Sequence, residues 1–120
     1  MRAHPLALIT LALVWFFAGR ASADTLYITE FVEYSPVTYQ AAKAPSNGNQ
    51  TVTITASSAQ SAAFKSNTRL IRVHCDVACH IEIGGAAPTA TVTSPPMVAG
   101  QTEYFYVTAG AKVAVIAAAP

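Results

Sequence analysis

A chain of 120 residues allows one domain and leaves no room for a second domain with its own hydrophobic core. Only 11% of its residues are charged and the formal net charge is +1, so the chain lacks the clustered basic residues that neutralise nucleic-acid phosphates. Composition therefore argues against a nucleic-acid partner and predicts a single small module.

The first 23 residues have the pattern of a secretory signal. Residues 1–4 form a short positive start, residues 5–18 form an apolar run of 14 residues, and Ala-Ser-Ala at 21–23 supplies the small residues of a cleavage site before Asp24. The apolar run is shorter than the ~20 residues of a spanning helix, so no transmembrane span is predicted. We expect a signal peptide at 1–23 and export to the periplasm or medium. An uncleaved anchor and a start codon placed too far upstream are the alternatives.

Residues 24–120 predict a single all-β domain. They contain twelve threonines, many alanines and valines, and few leucines, a composition that favours strands over helices. Five basic residues against six acidic ones give this part of the chain a net charge near −1. We predict a small antiparallel β-sandwich or jelly-roll-like barrel of about six to eight strands. Because its core is thin, a cross-link or oligomerisation would help it.

In chain order, residues 25–31 alternate in hydrophobicity and predict the first strand. Residues 41–50 contain turn-forming residues and predict a loop. The next strand is predicted at 51–55, where the alternation is cleanest, and a weaker strand is predicted within 56–64.

Residues 70–84 and 102–117 are each predicted to contain two strands around a tight turn. Residues 85–100 lie between them and are rich in Pro, Ala, Thr and Ser. Prolines lack the donor that a central strand requires, so this segment predicts a long surface loop. One short edge strand is predicted at 91–93.

A dense group of reactive side chains lies in the first of these turns. If the chain reverses through Asp-Val-Ala at 76–78, Cys75 lies opposite Cys79 and His74 lies opposite His80. Side chains alternate between the faces of a strand, so the two cysteines would face the core and the two histidines would face away. The four side chains then cannot close on one tetrahedral metal ion, and no metal is predicted.

A disulfide between Cys75 and Cys79 follows from this hairpin, because opposed strand positions bring Cβ atoms close and an exported protein meets an oxidising compartment. Buried free thiols, or a metal site in a looser loop, are the alternatives. His74 and His80 are predicted to form a surface pair. They are either ordinary surface residues or a pH-sensitive patch, since two facing imidazoles repel once protonated. A cross-strand Arg72–Glu82 pair is expected on the same face.

The sequence predicts no catalytic residues and no cofactor. Nucleophilic catalysis needs a nucleophile beside a base that a third group orients, and no motif of this kind surrounds any serine. A glycosidase needs two carboxyl groups with distinct roles, and nothing distinguishes two of the four glutamates. These glutamates are Glu30, Glu33, Glu82 and Glu103. The chain is therefore predicted not to be an enzyme.

The second predicted hairpin supplies candidates for a protein interface. If Ala-Gly at 109–110 closes a tight turn, both faces of the strand pair are apolar. Such a pair is either central in a sandwich or covered by a partner, and tyrosines are favoured at interfaces. The interaction candidates are Tyr104, Phe105, Tyr106, Val113 and Val115. The expected partner is a second copy, a capsid or a cell-envelope surface.

Five short sequence segments of this chain resemble segments of small proteins encoded among the head-structure genes of tailed bacteriophages and prophages. These segments are residues 25–30, 60–64, 68–74, 100–105 and 112–116. The resemblance implies a capsid-associated, decoration-like minor structural protein of β-rich fold without catalytic residues. The two cysteines and the export signal depart from that pattern. The alternative is an exported bacterial β-sandwich that acts in binding or adhesion.

Overall fold

The computed structural model describes residues 23–32 and 45–119, and within them the predicted all-β fold is confirmed. Residues 1–22 of the predicted signal segment and residues 41–44 of the predicted loop at 41–50 lie outside the described residues. Eight strands and no helix are present in the described ranges. The strands are β1 (Thr25–Phe31), β2 (Gly48–Thr53), β3 (Ala59–Gln60), β4 (Leu70–Cys75), β5 (Cys79–Gly84), β6 (Pro96–Met97), β7 (Thr102–Tyr106) and β8 (Lys112–Ala117).

The strands form two antiparallel sheets of four strands each. The first sheet has the order β2-β1-β4-β7 and the second has the order β3-β8-β5-β6. Among the eight described strands, β1 and β2 share one sheet and β5 and β6 share the other, whereas each of the other five consecutive pairs is divided between the two sheets. This is a two-sheet sandwich of the jelly-roll kind, as the composition predicted.

The core lies between the two sheets and is formed by alternate residues of their central strands. β1 and β4 supply Leu26, Ile28, Ile71 and Val73, all essentially inaccessible to solvent. They belong to one cluster with Val115 and other inward-facing residues of the second sheet. Strand alternation therefore identified the buried side of β1 and β4 correctly.

The predicted hairpin between residues 70 and 84 is wrong, because β4 and β5 lie in different sheets. Arg72 lies opposite Thr29 on β1 and Tyr104 on β7, whereas Glu82 lies opposite Ala114 on β8. The expected Arg72–Glu82 pair is therefore absent. Alternation could not reveal this error. The same alternate side chains face the core whether the chain forms a hairpin within one sheet or crosses to the other sheet.

The predicted hairpin between residues 102 and 117 is also wrong. β7 is the edge strand of the first sheet, and β8 is central in the second sheet between β3 and β5. The turn that connects them contains Gly110 with a φ of 77°, a conformation that glycine adopts without steric cost. Burial on both sides of β8 therefore reflects its central position in the sandwich.

The loop between β5 and β6 corrects a further expectation. No strand forms at 91–93, and the short edge strand is β6 instead, where Met97 lies opposite Cys79 and Pro96 lies opposite His80. An edge strand tolerates proline because one side of its backbone needs no partner. β2 begins at Gly48, three residues earlier than predicted.

Candidate functional site

The predicted disulfide between Cys75 and Cys79 is confirmed, although its setting differs from the predicted one. It joins the end of β4 in the first sheet to the start of β5 in the second, with Cα atoms 6.6 Å apart. Both cysteines are completely buried. The bond therefore fixes the point where the chain passes from one sheet to the other. No group of three or more His, Cys, Asp or Glu side chains suited to a metal occurs in the described part of the chain.

Replacing both Cys75 and Cys79 with alanine should lower the free energy of unfolding by about 2 kcal/mol, the chain-entropy estimate for so short a loop. Chemical unfolding followed by circular dichroism measures this loss. The unreduced wild-type protein should have a mass about 2 Da below its reduced form, since closing one disulfide removes two hydrogens. Full alkylation of both thiols before reduction would contradict the assignment.

The predicted surface pair of His74 and His80 is wrong, because the two histidines lie on opposite outer faces of the sandwich. His74 projects from the first sheet, where its Nδ1 lies 2.8 Å from Thr102 Oγ1. His80 projects from the second sheet, where its Nδ1 lies 2.7 Å from the carbonyl oxygen of Ser94. Two imidazoles so placed do not face each other, so the alternative in which they form a pH-sensitive patch loses its basis.

The outer face of the second sheet is covered by the chain's own loop at 85–95. The amide of Ala90 donates to Ser58 Oγ at 2.9 Å, and the side-chain amide of Gln60 donates to the carbonyl oxygen of Pro88 at 2.8 Å. Ala114 is completely buried although it points away from the core valines. This face is therefore an internal packing surface.

The outer face of the first sheet carries the most exposed aromatic side chains among residues 23–32 and 45–119. Tyr27, Tyr104 and Tyr106 are 48%, 50% and 65% exposed. We call this surface the open face. Its central side chains are Tyr27, Thr29, Asn49, Thr51, Arg72, His74, Thr102, Tyr104 and Tyr106. The face combines aromatic rings with hydroxyl, amide, imidazole and guanidinium groups.

A shallow depression of about 300 Å³ lies in the open face. It is bounded by side chains of three neighbouring strands. These are Tyr27, Thr29, Asn49, Thr51, Arg72 and His74. The rings of Tyr27 and His74 are 6.2 Å apart between centroids and tilted by 51°. Two aromatic rings, those of Tyr27 and His74, therefore form one side of the depression, and the guanidinium of Arg72 lies beside them.

The structure divides the predicted interaction candidates into two groups. Tyr104 and Tyr106 lie on the open face, where a partner can reach them. Val113 and Val115 are completely buried in the core, and Phe105 is half-buried and packs against the same core. The two valines are therefore not available to a partner, whereas Phe105 borders a second depression beside Ile83 and Pro95. Neither strand pattern nor composition distinguished the two groups.

Glu30 is a structural residue that the sequence analysis did not single out. It is only 2% exposed, on the inner side of β1. Its Oε1 accepts a hydrogen bond from the side chain of Gln50 at 2.7 Å, and its Oε2 accepts from the Lys65 amide at 3.0 Å and Thr68 Oγ1 at 2.5 Å. Glu30 lies two residues after Ile28 and four after Leu26, so strand alternation already placed it on the buried side of β1.

The hydrogen bonds of Glu30 keep its carboxyl group ionised. Burial raises its pKa, but hydrogen bonds from Thr68, Gln50 and Lys65 and the charge of Lys65 together outweigh burial, so the pKa lies below the ordinary glutamate value. An ionised carboxylate that accepts hydrogen bonds on both oxygens can join the 65–68 segment to β1 and β2. It is not suited to donating a proton.

Comparisons with protein families, with curated proteins and with solved structures find no match to this chain. None of the described residues belongs to a helix long and apolar enough to cross a membrane. The open face, with its exposed tyrosines and Arg72, is therefore the surface of the described residues best suited to binding a partner.

Proposed function

We propose that this protein is a non-enzymatic interaction module that assembles on a larger surface through its open face. The observation that carries the proposal is the difference between the two outer faces. The loop at 85–95 covers one of them, whereas the other exposes Tyr27, Tyr104 and Tyr106. Exposed aromatic groups clustered on one face are typical of interaction sites, and tyrosine is enriched in interfaces.

The chemistry of the open face supports binding rather than turnover. Thr102 and His74 form a hydroxyl–imidazole contact of 2.8 Å, which is the beginning of a nucleophile and base pair. Within the described residues, no carboxylate contacts the imidazole to orient it as a third group would. The buried carboxylate of Glu30 lies on the other side of the same sheet.

Two surfaces fit the proposal. The resemblance to phage head-associated proteins points to a capsid, where the module would be a minor structural or decoration-like component. The alternative, an exported bacterial binding or adhesion-type sandwich, points to a cell envelope. The buried disulfide fits both surfaces, because disulfides persist in oxidising surroundings that include the periplasm and virion surfaces. Self-association through the same face is the third form of assembly.

Replacing Tyr104 and Tyr106 with serine should abolish most of the association and leave the fold intact. Both side chains are at least half exposed, so the far-ultraviolet circular dichroism spectrum should not change. Co-sedimentation with capsids and with envelope preparations, and sedimentation velocity of the protein alone, measure the association. The matched control is Val98→Ser, which removes an exposed apolar group elsewhere on the molecule. Wild-type protein that stays monomeric and binds neither preparation would contradict the proposal.

A further inference from the structure

The guanidinium of Arg72 is an unused binding group in the open face. Among residues 23–32 and 45–119, Arg72 makes no hydrogen bond and no ion pair, although it is exposed beside the depression. The described open face contains no carboxylate. The acids nearest Arg72 in register are Glu30 and Glu103, which lie opposite the inward-facing Ile71 and Val73, and Glu103 accepts a hydrogen bond from Gln101. The face therefore presents one uncompensated positive charge to a partner.

The charge of the depression fits a partner with one negative charge per binding unit. Arg72 is the only Lys or Arg among the described side chains that line it. A guanidinium binds a carboxylate through two parallel hydrogen bonds in one plane. A dianionic phosphate would need a second cation to neutralise its charge. A carboxylate, whose single charge Arg72 can neutralise, is therefore the favoured group.

The groups around Arg72 fit a sugar ring better than a peptide. The hydroxyls of Thr29 and Thr51 and the amide of Asn49 can both donate and accept hydrogen bonds, which is what sugar hydroxyls require. The exposed rings of Tyr27 and Tyr104 offer flat apolar surfaces to the C–H side of a sugar. An extended peptide instead gains affinity by pairing its backbone with a free strand edge, which the middle of a sheet face does not offer.

The spacing of the two tyrosines leaves room for this ring. Arg72 on β4 is directly opposite Tyr104 on β7. Tyr27 on β1 is two strands from β7, and its position there corresponds to Thr102, two residues before Tyr104. Ordinary strand geometry then separates the two tyrosine Cα atoms by about 12 Å, with Arg72 between them. A sugar ring can therefore lie against one tyrosine while its carboxylate reaches Arg72.

We infer that the depression around Arg72 binds a uronic-acid residue of an acidic polysaccharide, with the sugar carboxylate on the guanidinium and its ring against Tyr27 or Tyr104. The inference rests on the proposed function and names the chemistry of its partner. It requires no catalytic step, since the polysaccharide is bound and not altered.

Isothermal titration of the full chain with polygalacturonate tests this inference. Wild-type protein should bind polygalacturonate, and binding should weaken at least tenfold when the carboxylates are methyl-esterified. Arg72→Gln should weaken binding at least tenfold, and Arg72→Lys should restore part of the affinity. The matched control is Arg69→Gln, which removes the same charge from an exposed arginine that donates to the carbonyl oxygens of Ser66 and Thr68. Binding by this control should stay near the wild-type level.

Three outcomes would overturn the inference. Equal losses in the Arg72→Gln and Arg69→Gln variants would show non-specific attraction between charges. Binding of polyglutamate as tight as that of polygalacturonate, with the same dependence on Arg72, would identify an acidic protein as the partner. If the protein binds capsids or envelopes but not polygalacturonate, the inference of a uronic-acid ligand is wrong, and the proposed function is retained. Thermal unfolding of each variant verifies that the fold is intact.

Discussion

Replacing Glu30 with alanine should lower the free energy of unfolding by about 4 kcal/mol, because it leaves one buried and two partly buried donors without their acceptor, and an unsatisfied buried donor costs about 1–3 kcal/mol. These donors belong to Gln50, Lys65 and Thr68. The loss is large against the total stability of a small domain, about 5–15 kcal/mol. Urea unfolding followed by circular dichroism measures it.

The control for this change is Glu103→Ala, which removes an exposed carboxylate whose one hydrogen bond comes from the side chain of Gln101. That variant should lie within about 0.5 kcal/mol of wild type, as surface substitutions usually do. Similar stability of the Glu30→Ala and Glu103→Ala variants would show that the hydrogen bonds of Glu30 contribute little.

Glu30 should also make the stability depend on pH in the acid range. Its pKa is lower in the folded protein than in the unfolded chain, so folding favours the ionised carboxylate. Its contribution is fully present above the ordinary glutamate pKa of about 4.3 and is lost as the pH falls through the folded value. Wild type should therefore lose stability relative to Glu30→Gln on acidification from neutral pH to pH 3. A constant difference between the two proteins over that range would contradict the assignment.

Replacing Val115 with serine should lower the free energy of unfolding by about 3 kcal/mol, because the change removes buried methyl groups, leaves a cavity and buries a hydroxyl. Val115 is completely buried in the centre of β8. The Tyr104→Ser variant is the comparison, since its side chain is half exposed at the edge strand. It should lose much less stability.

This pair of variants tests the division of the predicted interface residues into core and surface. Thermal unfolding monitored by circular dichroism compares them under one condition. If Val115→Ser were as stable as wild type while association was lost, β8 would be an interface strand and not part of the core.

The sequence by itself determined which side chains of β1 and β4 point inward. Alternation placed Leu26 and Ile28 on one side of β1, and Val73 with Cys75 on one side of β4, and the core contains them all. It determined the disulfide for the same reason, because Cys75 and Cys79 are both inward-facing positions next to one short turn. These features follow from the two-residue period of a strand, which is a local property of the chain.

Only the tertiary structure decided which strands are neighbours. The turns after Cys75 and after Tyr106 could each close a hairpin or carry the chain across the core, and both connections cross between the sheets. A hairpin and a crossing turn the same side chains inward, so alternation cannot distinguish them. The placement of His74 and His80 on opposite faces follows from the first of these crossings.

The same limit explains why the candidate site could be predicted only in part. Tyr104 was a candidate from its residue type, but Arg72 was paired with Glu82 and not with its true neighbours Thr29 and Tyr104, because strand pairing was unknown. Which outer face stays open depends on where the loop at 85–95 folds back, and that is fixed by long-range contacts such as Gln60 with Pro88. Contacts between residues far apart in the chain are set by packing of the whole sandwich, which no local pattern contains.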